Sequence, residues 1–265
     1  MVKKLICGLI AALSAQSFPT TAAECAASSG VQITPLLELY TSEGCSSCPP
    51  ADQWLSTLTS AGYDSSKVTP LAFHVDYWDY IGWKDRFAKA SYSERQRQAA
   101  SSSGSTFVYT PQLLLNGRDL RGWQSSDRFG NVLQAAAKDE ARVALKITLK
   151  QTDKDQASVS VMVQPKTSLN TSNSDLYLAI NESRLKSSVN AGENSGRELH
   201  HDYVVRELYG PFPLNQLKNN QLIKDIVLKS ETGKDALGLV AFIQNRSTNT
   251  IEQSLSLPIK SCGNS

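Results

Sequence analysis

The chain has 265 residues, 40% of them hydrophobic, and its 27 basic and 25 acidic residues leave a formal net charge of +2. This near balance excludes the strongly basic surface that an electrostatic nucleic-acid or anionic-membrane partner would need. The length exceeds one typical domain of about 100–150 residues and predicts two, each able to bury a core.

Residues 1–23 read as a secretory signal: Lys3 and Lys4, the apolar run Leu5 to Leu13, then Thr21-Ala22-Ala23 as a small-residue cleavage site before Glu24. The run is too short to span a bilayer, and no later segment reaches the roughly 18 apolar residues that a span needs. Cys7 leaves with the signal, and Lys4-Leu5-Ile6 ahead of it lacks a lipoprotein cleavage pattern. Loss of Lys3 and Lys4 leaves 25 basic residues against 25 acidic ones. The expectation is a periplasmic or secreted protein with no membrane span and no nucleic-acid partner. Cys25, Cys45, Cys48 and Cys262 remain, an even number that can pair completely in an oxidising compartment. Cys25 and Cys262 lie near opposite ends of the mature chain. Because domain termini often approach each other, a structural Cys25–Cys262 disulfide is expected over two free thiols.

The first domain is expected over residues 24–144, where strand and helix patterns alternate from about Gln32. Leu36 to Tyr40 predicts a strand, and Pro49 to Thr59 a helix with Ala51, Leu55 and Leu58 at helical spacing. Between them stands Cys45-Ser46-Ser47-Cys48. A strand that delivers CxxC to a helix N-terminus is the arrangement thiol–disulfide chemistry requires: helix-terminal amides favour a thiolate at Cys45, and Cys48 is near enough to resolve a mixed disulfide. The immediate prolines, Pro49 and Pro50, fit a helix that starts at or near Cys48, which sets Cys45 slightly ahead of it. An inert structural disulfide and a soft-metal site are the competing readings of the pair.

Val68 to Val75 predicts the next strand, completing a βαβ unit. At its end Phe73 to Trp83 forms the densest polar and aromatic cluster of the chain. Carboxyl ends of parallel strands line the crevice of an α/β sheet, so His74 and Asp76 are auxiliary candidates, with His74 as a base or a ligand beside the cysteines. The plainer reading of His74 is a hydrogen-bonded strand histidine. A polar helix is expected over Asp85 to Ser101, then the strand Gln112 to Leu115 with an Asn116-Gly117 turn, then a helix capped by Ser125 or Ser126 and reaching about Ala144. Pro111, just before a strand, is either an ordinary strand-edge residue or a cis bond.

From residue 145 to 265 the pattern becomes alternation, as in Leu145 to Lys150, Ala157 to Val163 and Leu176 to Ile180, with later runs at 222–228, 236–243 and 254–259. Five to seven short strands with polar turns predict a mainly antiparallel β-sandwich with one wet face. The loops 168–174 and 187–196 are candidates for partner contact. His200 and His201 are adjacent on an extended segment and face opposite ways, so neither is assigned to a metal.

The strand, CxxC, helix and Thr110-Pro111-Gln112 together resemble the thioredoxin superfamily over roughly residues 32–144. The chain is similar, more narrowly, to a group of uncharacterised exported bacterial proteins with a thioredoxin-like fold. They share Leu39 to Asp52 (LYTSEGCSSCPPAD), His74 to Asp79 (HVDYWD) and Tyr109 to Gln112 (YTPQ), followed by a β-rich region. The resemblance implies that Pro111 is cis, that its loop faces the sulfurs and that Thr110 offers backbone to a bound peptide. It brings no established substrate. Gly44 stands where well-known thioredoxins place tryptophan, and Leu39 where they keep a buried acid; the neighbouring Glu38 is an auxiliary candidate, although a one-residue offset reverses its facing.

The function expected from these residues is an exported thiol–disulfide oxidoreductase acting on protein or peptide thiols, with Cys45 attacking, Cys48 resolving and no cofactor. Two alternatives stand beside it. One is a Cu(I)-binding or delivery protein using Cys45, Cys48 and His74, and the other is a thioredoxin-like scaffold without chemistry.

Overall fold

A computed structural model describes residues 24–262; the expected signal segment lies outside the described residues. The first half contains β1 (Glu24–Ser28), β2 (Leu36–Thr41), α1 (Pro49–Thr57), β3 (Thr69–His74), α2 (Ala90–Ser102), β4 (Gln112–Leu115), β5 (Arg118–Asp119) and α3 (Ser126–Ala136). The second half is strands: β6 (Val143–Asp153), β7 (Gln156–Pro165), β8 (Ser174–Glu182), β9 (Leu185–Ser188), β10 (Glu198–His201), β11 (Val204–Pro213), β12 (Gln221–Val227), β13 (Leu237–Asn245) and β14 (Ile251–Pro258).

Local chemistry accounts for most of these boundaries. All six residues of β2 are buried, because the strand lies between β3 and β4 and is covered on both faces. In β6 and β7 buried residues alternate with more accessible ones, the pattern of a sheet with one face in water. Pro49 occupies the first position of α1, where its missing N–H costs nothing. Ser125 caps α3 by accepting from the Arg128 N–H. The α3 helix ends at Ala136 and does not run to Ala144, because Val143 and Ala144 already pair with Pro165 and Gln164 in the β6–β7 ladder.

An eight-stranded sheet runs in the order β14-β13-β8-β11-β3-β2-β4-β5. Its centre is parallel (β11, β3, β2), and β4 returns antiparallel to β2 before turning into β5 at Asn116 and Gly117, both with positive φ. A second sheet, β1-β6-β7-β12, faces the β14-β13-β8 end of the first across the largest core, built from residues such as Leu145, Ile147, Val159, Leu178, Leu239 and Leu257. Two further clusters cover the remaining sheet. On one face Leu37, Leu39 and Leu113 meet Leu55 of α1 and Phe129 and Leu133 of α3. On the other, Leu36, Tyr40 and Phe73 meet Tyr92 of α2, with Val240 and Phe242 in the same cluster.

The expected seam between 24–144 and 145–265 is not a structural gap. Strand β1 belongs by position to the first segment but pairs throughout with β6. The long sheet crosses the seam where Val204 of β11 stands opposite Ala72 of β3 and the Ala72 N–H donates to Tyr203 O at 2.8 Å. The Cys25–Cys262 disulfide ties β1 to the turn after β14, and both cysteines pack against the inter-sheet core.

Candidate functional site

The segment from β2 to α1 turns twice before the helix begins. The Cys45 N–H donates to Ser42 O and the Cys48 N–H to Cys45 O, each at 3.2 Å, and Cys48 is the N-cap whose carbonyl accepts from Ala51 at 2.8 Å and Asp52 at 3.2 Å. Cys45 therefore sits one turn ahead of the helix, and the helix-terminal field acts most directly at Cys48. The two sulfurs are joined as a disulfide, and both residues are fully buried while Ser46 and Ser47 between them are exposed. Gly44 lets the loop after β3 come close: a Cβ there would stand 3.1 Å from the Trp78 Cβ and 3.2 Å from its carbonyl oxygen.

The second half of the chain reaches the backbone of the CxxC turn. Asn194, fully buried in the loop between β9 and β10, donates from Nδ2 to Glu43 O at 2.8 Å and to Cys45 O at 3.0 Å. The neighbouring Glu193 accepts from the Ser46 N–H at 2.9 Å, and Gly192, at φ 72°, packs against Ile81 and Trp83. Part of the 187–196 loop is thus a cover on the CxxC segment. Nothing local in the sequence signals this, because the partners are about 150 positions apart.

Thr110 and Pro111 are joined by a cis peptide bond. The Trp78 Nε1–H donates to Thr110 Oγ1 at 2.7 Å, tying this loop to the aromatic cluster after β3. A groove of about 810 Å³ runs beside the CxxC turn, lined by Ser47, Pro50, Phe107, Thr110, Pro111 and Trp123 among others, and Phe107 is 62% exposed at its edge.

The auxiliary candidates separate. Glu38 lies between Leu37 and Leu39, whose side chains meet α1, and it points to the other face, where Arg95 of α2 donates to it from Nε at 2.7 Å. That position removes Glu38 from the thiol side of the sheet: strand alternation sends Leu39 towards α1 and its neighbour away. Asp76 is tied to Ser93, whose Oγ donates to Oδ1 and accepts from the Asp76 N–H. His74 is fully buried with Nδ1 at 2.6 Å from Asp85 Oδ2, and it gathers with Asp52 and His201 and not with the sulfurs.

This gathering is a buried polar cluster beneath the CxxC turn. Asp52 from α1 accepts from Thr41 Oγ1 at 2.8 Å, and Glu43 accepts from Trp83 Nε1 at 2.7 Å. His201, only 2% exposed, stands 3.4 Å from Glu43 Oε1 through Nε2 and 3.7 Å from Asp52 Oδ1 through Nδ1. Burial works against its charge, but the two carboxylates outweigh burial and the imidazole is pushed up to about 10. Burial likewise opposes ionisation of Asp85, yet His74 beside it and the Glu43 and Phe87 amides hold the carboxyl below its usual range. His200 and His201 do face opposite ways, His200 into solvent beside Glu198 and His201 inward. Alternation around His200-His201 was the available signal for one buried imidazole; its companions Asp52, Glu43 and Asp85 carry no sequence signal of their own.

Comparisons with known proteins agree with a family reading. Residues 36–244 match the family described as "Protein of unknown function (DUF1223)", and the chain belongs to that family. No curated protein matches the sequence. The fold is similar to that of a solved protein from Agrobacterium tumefaciens, at 24% identity and a TM-score of 0.59 over 85% of this chain and 94% of that one. It is also similar to HBP35 of Porphyromonas gingivalis, at 14% identity and a TM-score of 0.62 over 88% of this chain and 77% of that one. No helix among the described residues is long and apolar enough to cross a membrane. Two disulfides are the mark of an extracytoplasmic protein.

Proposed function

We propose that this member of a family of unknown function is a periplasmic or secreted thiol–disulfide oxidoreductase acting on protein or peptide thiols. The observation that carries the reading is the Cys45–Cys48 disulfide at the start of α1, with the cis Thr110–Pro111 bond lining a groove beside it. The order β2-α1-β3-α2-β4-β5-α3, with CxxC before α1 and the cis proline before β4, supports a thioredoxin-like unit carried on an antiparallel sandwich.

In the oxidising direction a partner thiolate attacks Cys45 Sγ, the Cys45–Cys48 bond breaks and Cys48 leaves as thiolate. A second partner thiolate then attacks the partner sulfur of the mixed disulfide and releases Cys45, so the partner loses two electrons and the protein gains them. Run in reverse, Cys45 attacks and Cys48 resolves, and a partner disulfide is reduced. The groove at Thr110 and Pro111 receives the partner's chain. Because both cysteines are buried, an incoming sulfur reaches Cys45 only when the surroundings of the turn give way, and the Asn194 loop, tied to the Cys45 carbonyl, is the candidate gate.

The test is the reduction potential of the pair. Full-length mature protein is equilibrated across glutathione and dithiothreitol buffers, alkylated, and the Cys45–Cys48 peptide quantified by mass spectrometry. A potential between roughly −120 and −270 mV supports an exchangeable disulfide. A value below about −300 mV makes it a structural bridge and overturns the reading.

A further inference from the structure

We propose that Asp52, His74 and His201 form a binding site for one divalent transition-metal ion of the Zn²⁺ type, with Thr41 orienting Asp52 and Asp85 orienting His74. The residues come from three elements, α1, β3 and β10, and meet in the buried layer under the CxxC turn. Each presents one ligand atom, and the three atoms lie within 4.8 Å of one another.

The hydrogen bonds around the cluster leave at least one free donor atom on each ligand. The carboxylate of Asp85 is fixed by the Glu43 and Phe87 amides and pairs with His74 Nδ1, which leaves Nε2 of that ring buried and without a partner. His201 is held less tightly: Nε2 stands 3.4 Å from Glu43 Oε1 without a hydrogen bond, and Nδ1, also without a partner, faces Asp52. Asp52 accepts from Thr41 through Oδ2, which leaves Oδ1 turned to His201. Metal-bound histidines characteristically donate their other ring N–H to a carboxylate, which fixes tautomer and orientation.

The Asp52–His201 spacing fits a shared ion. His201 stands 3.7 Å from Asp52, too far for a hydrogen bond. Ligand atoms bound at about 2.0–2.2 Å around a tetrahedral ion lie about 3.4 Å apart, close to that separation. Two imidazoles and one carboxylate form a mixed nitrogen and oxygen set that suits Zn²⁺ and its neighbours. The sulfurs are bonded to each other and supply no ligand, so the site is independent of the redox reading.

Because the ligands are buried, the metal is loaded during folding. Full-length mature protein is unfolded with a chelator present, refolded with one equivalent of Zn²⁺ or Co²⁺, passed over chelating resin and assayed for metal. The proposal expects one retained ion per chain, and a Co²⁺ form with d–d bands and no thiolate charge-transfer band. A Cys45→Ser, Cys48→Ser double variant retains the metal, and His200→Ala retains it too. His74→Ala and His201→Ala lose it, and Asp85→Asn weakens retention about 10–100-fold. Absence of retained metal in the wild-type protein overturns the proposal, and that result does not depend on any variant folding. Retention that follows the cysteines, or that survives in His201→Ala, overturns it as well.

Discussion

The two disulfides put the same bond in opposite settings. Cys25 and Cys262 are 237 positions apart, half-buried, and join the first described strand to the last turn against the largest core. Cys45 and Cys48 are 3 positions apart, fully buried, and lie beneath a loop from a distant part of the chain. In the chain-entropy account, stabilisation grows with the loop that is closed: about 5 kcal/mol for a loop of this length and about 2 kcal/mol for one of four residues. The long bridge is therefore worth most as a constraint on the unfolded chain. The short one adds little stability, and its place at a helix start beside a groove is what the proposed exchange chemistry would use.

The largest expected effect isolates the short bridge. Cys45→Ser abolishes turnover in a disulfide-exchange assay, because no mixed disulfide can form there, while denaturant midpoints move by less than about 2 kcal/mol. A loss of stability as large as that of the long bridge would erase the contrast. Next is the reciprocal change: Cys25→Ala with Cys262→Ala costs about 3–5 kcal/mol in urea unfolding. In the folded variant the Cys45–Cys48 potential stays within about 30 mV of wild type, a span equivalent to 1.4 kcal/mol. A larger shift would mean that the sandwich core and the CxxC turn are energetically coupled.

The same contrast separates what the sequence reveals from what only the folded chain shows. The apolar run of β2, the CxxC turn and the prolines that open α1 are local, and local rules read them. The alternation in β6 and β7 is just as legible, since one wet face imposes a period of two. Non-local partners are not. Strand β11 adds in parallel to β3 from about 130 positions away, which erases the seam that the change of pattern near residue 145 suggests. Glu38 is adjacent to the thiol-side residues in sequence but across the sheet in space, held by Arg95. His201, Asp52 and Glu43 are each unremarkable alone and become a cluster only when β10 packs beside α1.

The cover over the short bridge can be loosened without touching the sulfurs. Asn194→Ala removes two hydrogen bonds to the Glu43 and Cys45 carbonyls and leaves those acceptors buried. The loss is about 1–2 kcal/mol, which raises the open population about 5–30-fold. If opening gates access, reduction of Cys45–Cys48 by a phosphine accelerates by that factor while Cys25–Cys262 is unaffected; equal rates for variant and wild type would show that the sulfurs are reached from the groove side.

A smaller effect of the same sign comes from Glu193, whose hydrogen bonds from Ser46 hold its carboxyl below the ordinary range. A carboxyl depressed in the folded state contributes above its unfolded pKa, and the contribution is lost as pH falls through the folded value. The cover should therefore loosen on the acid side of the normal carboxylate range. Phosphine reduction followed there in wild type and in Glu193→Gln separates this from general acid effects: the wild-type rate rises towards that of the variant as the pH drops, and parallel profiles would assign Glu193 no part in holding the cover closed.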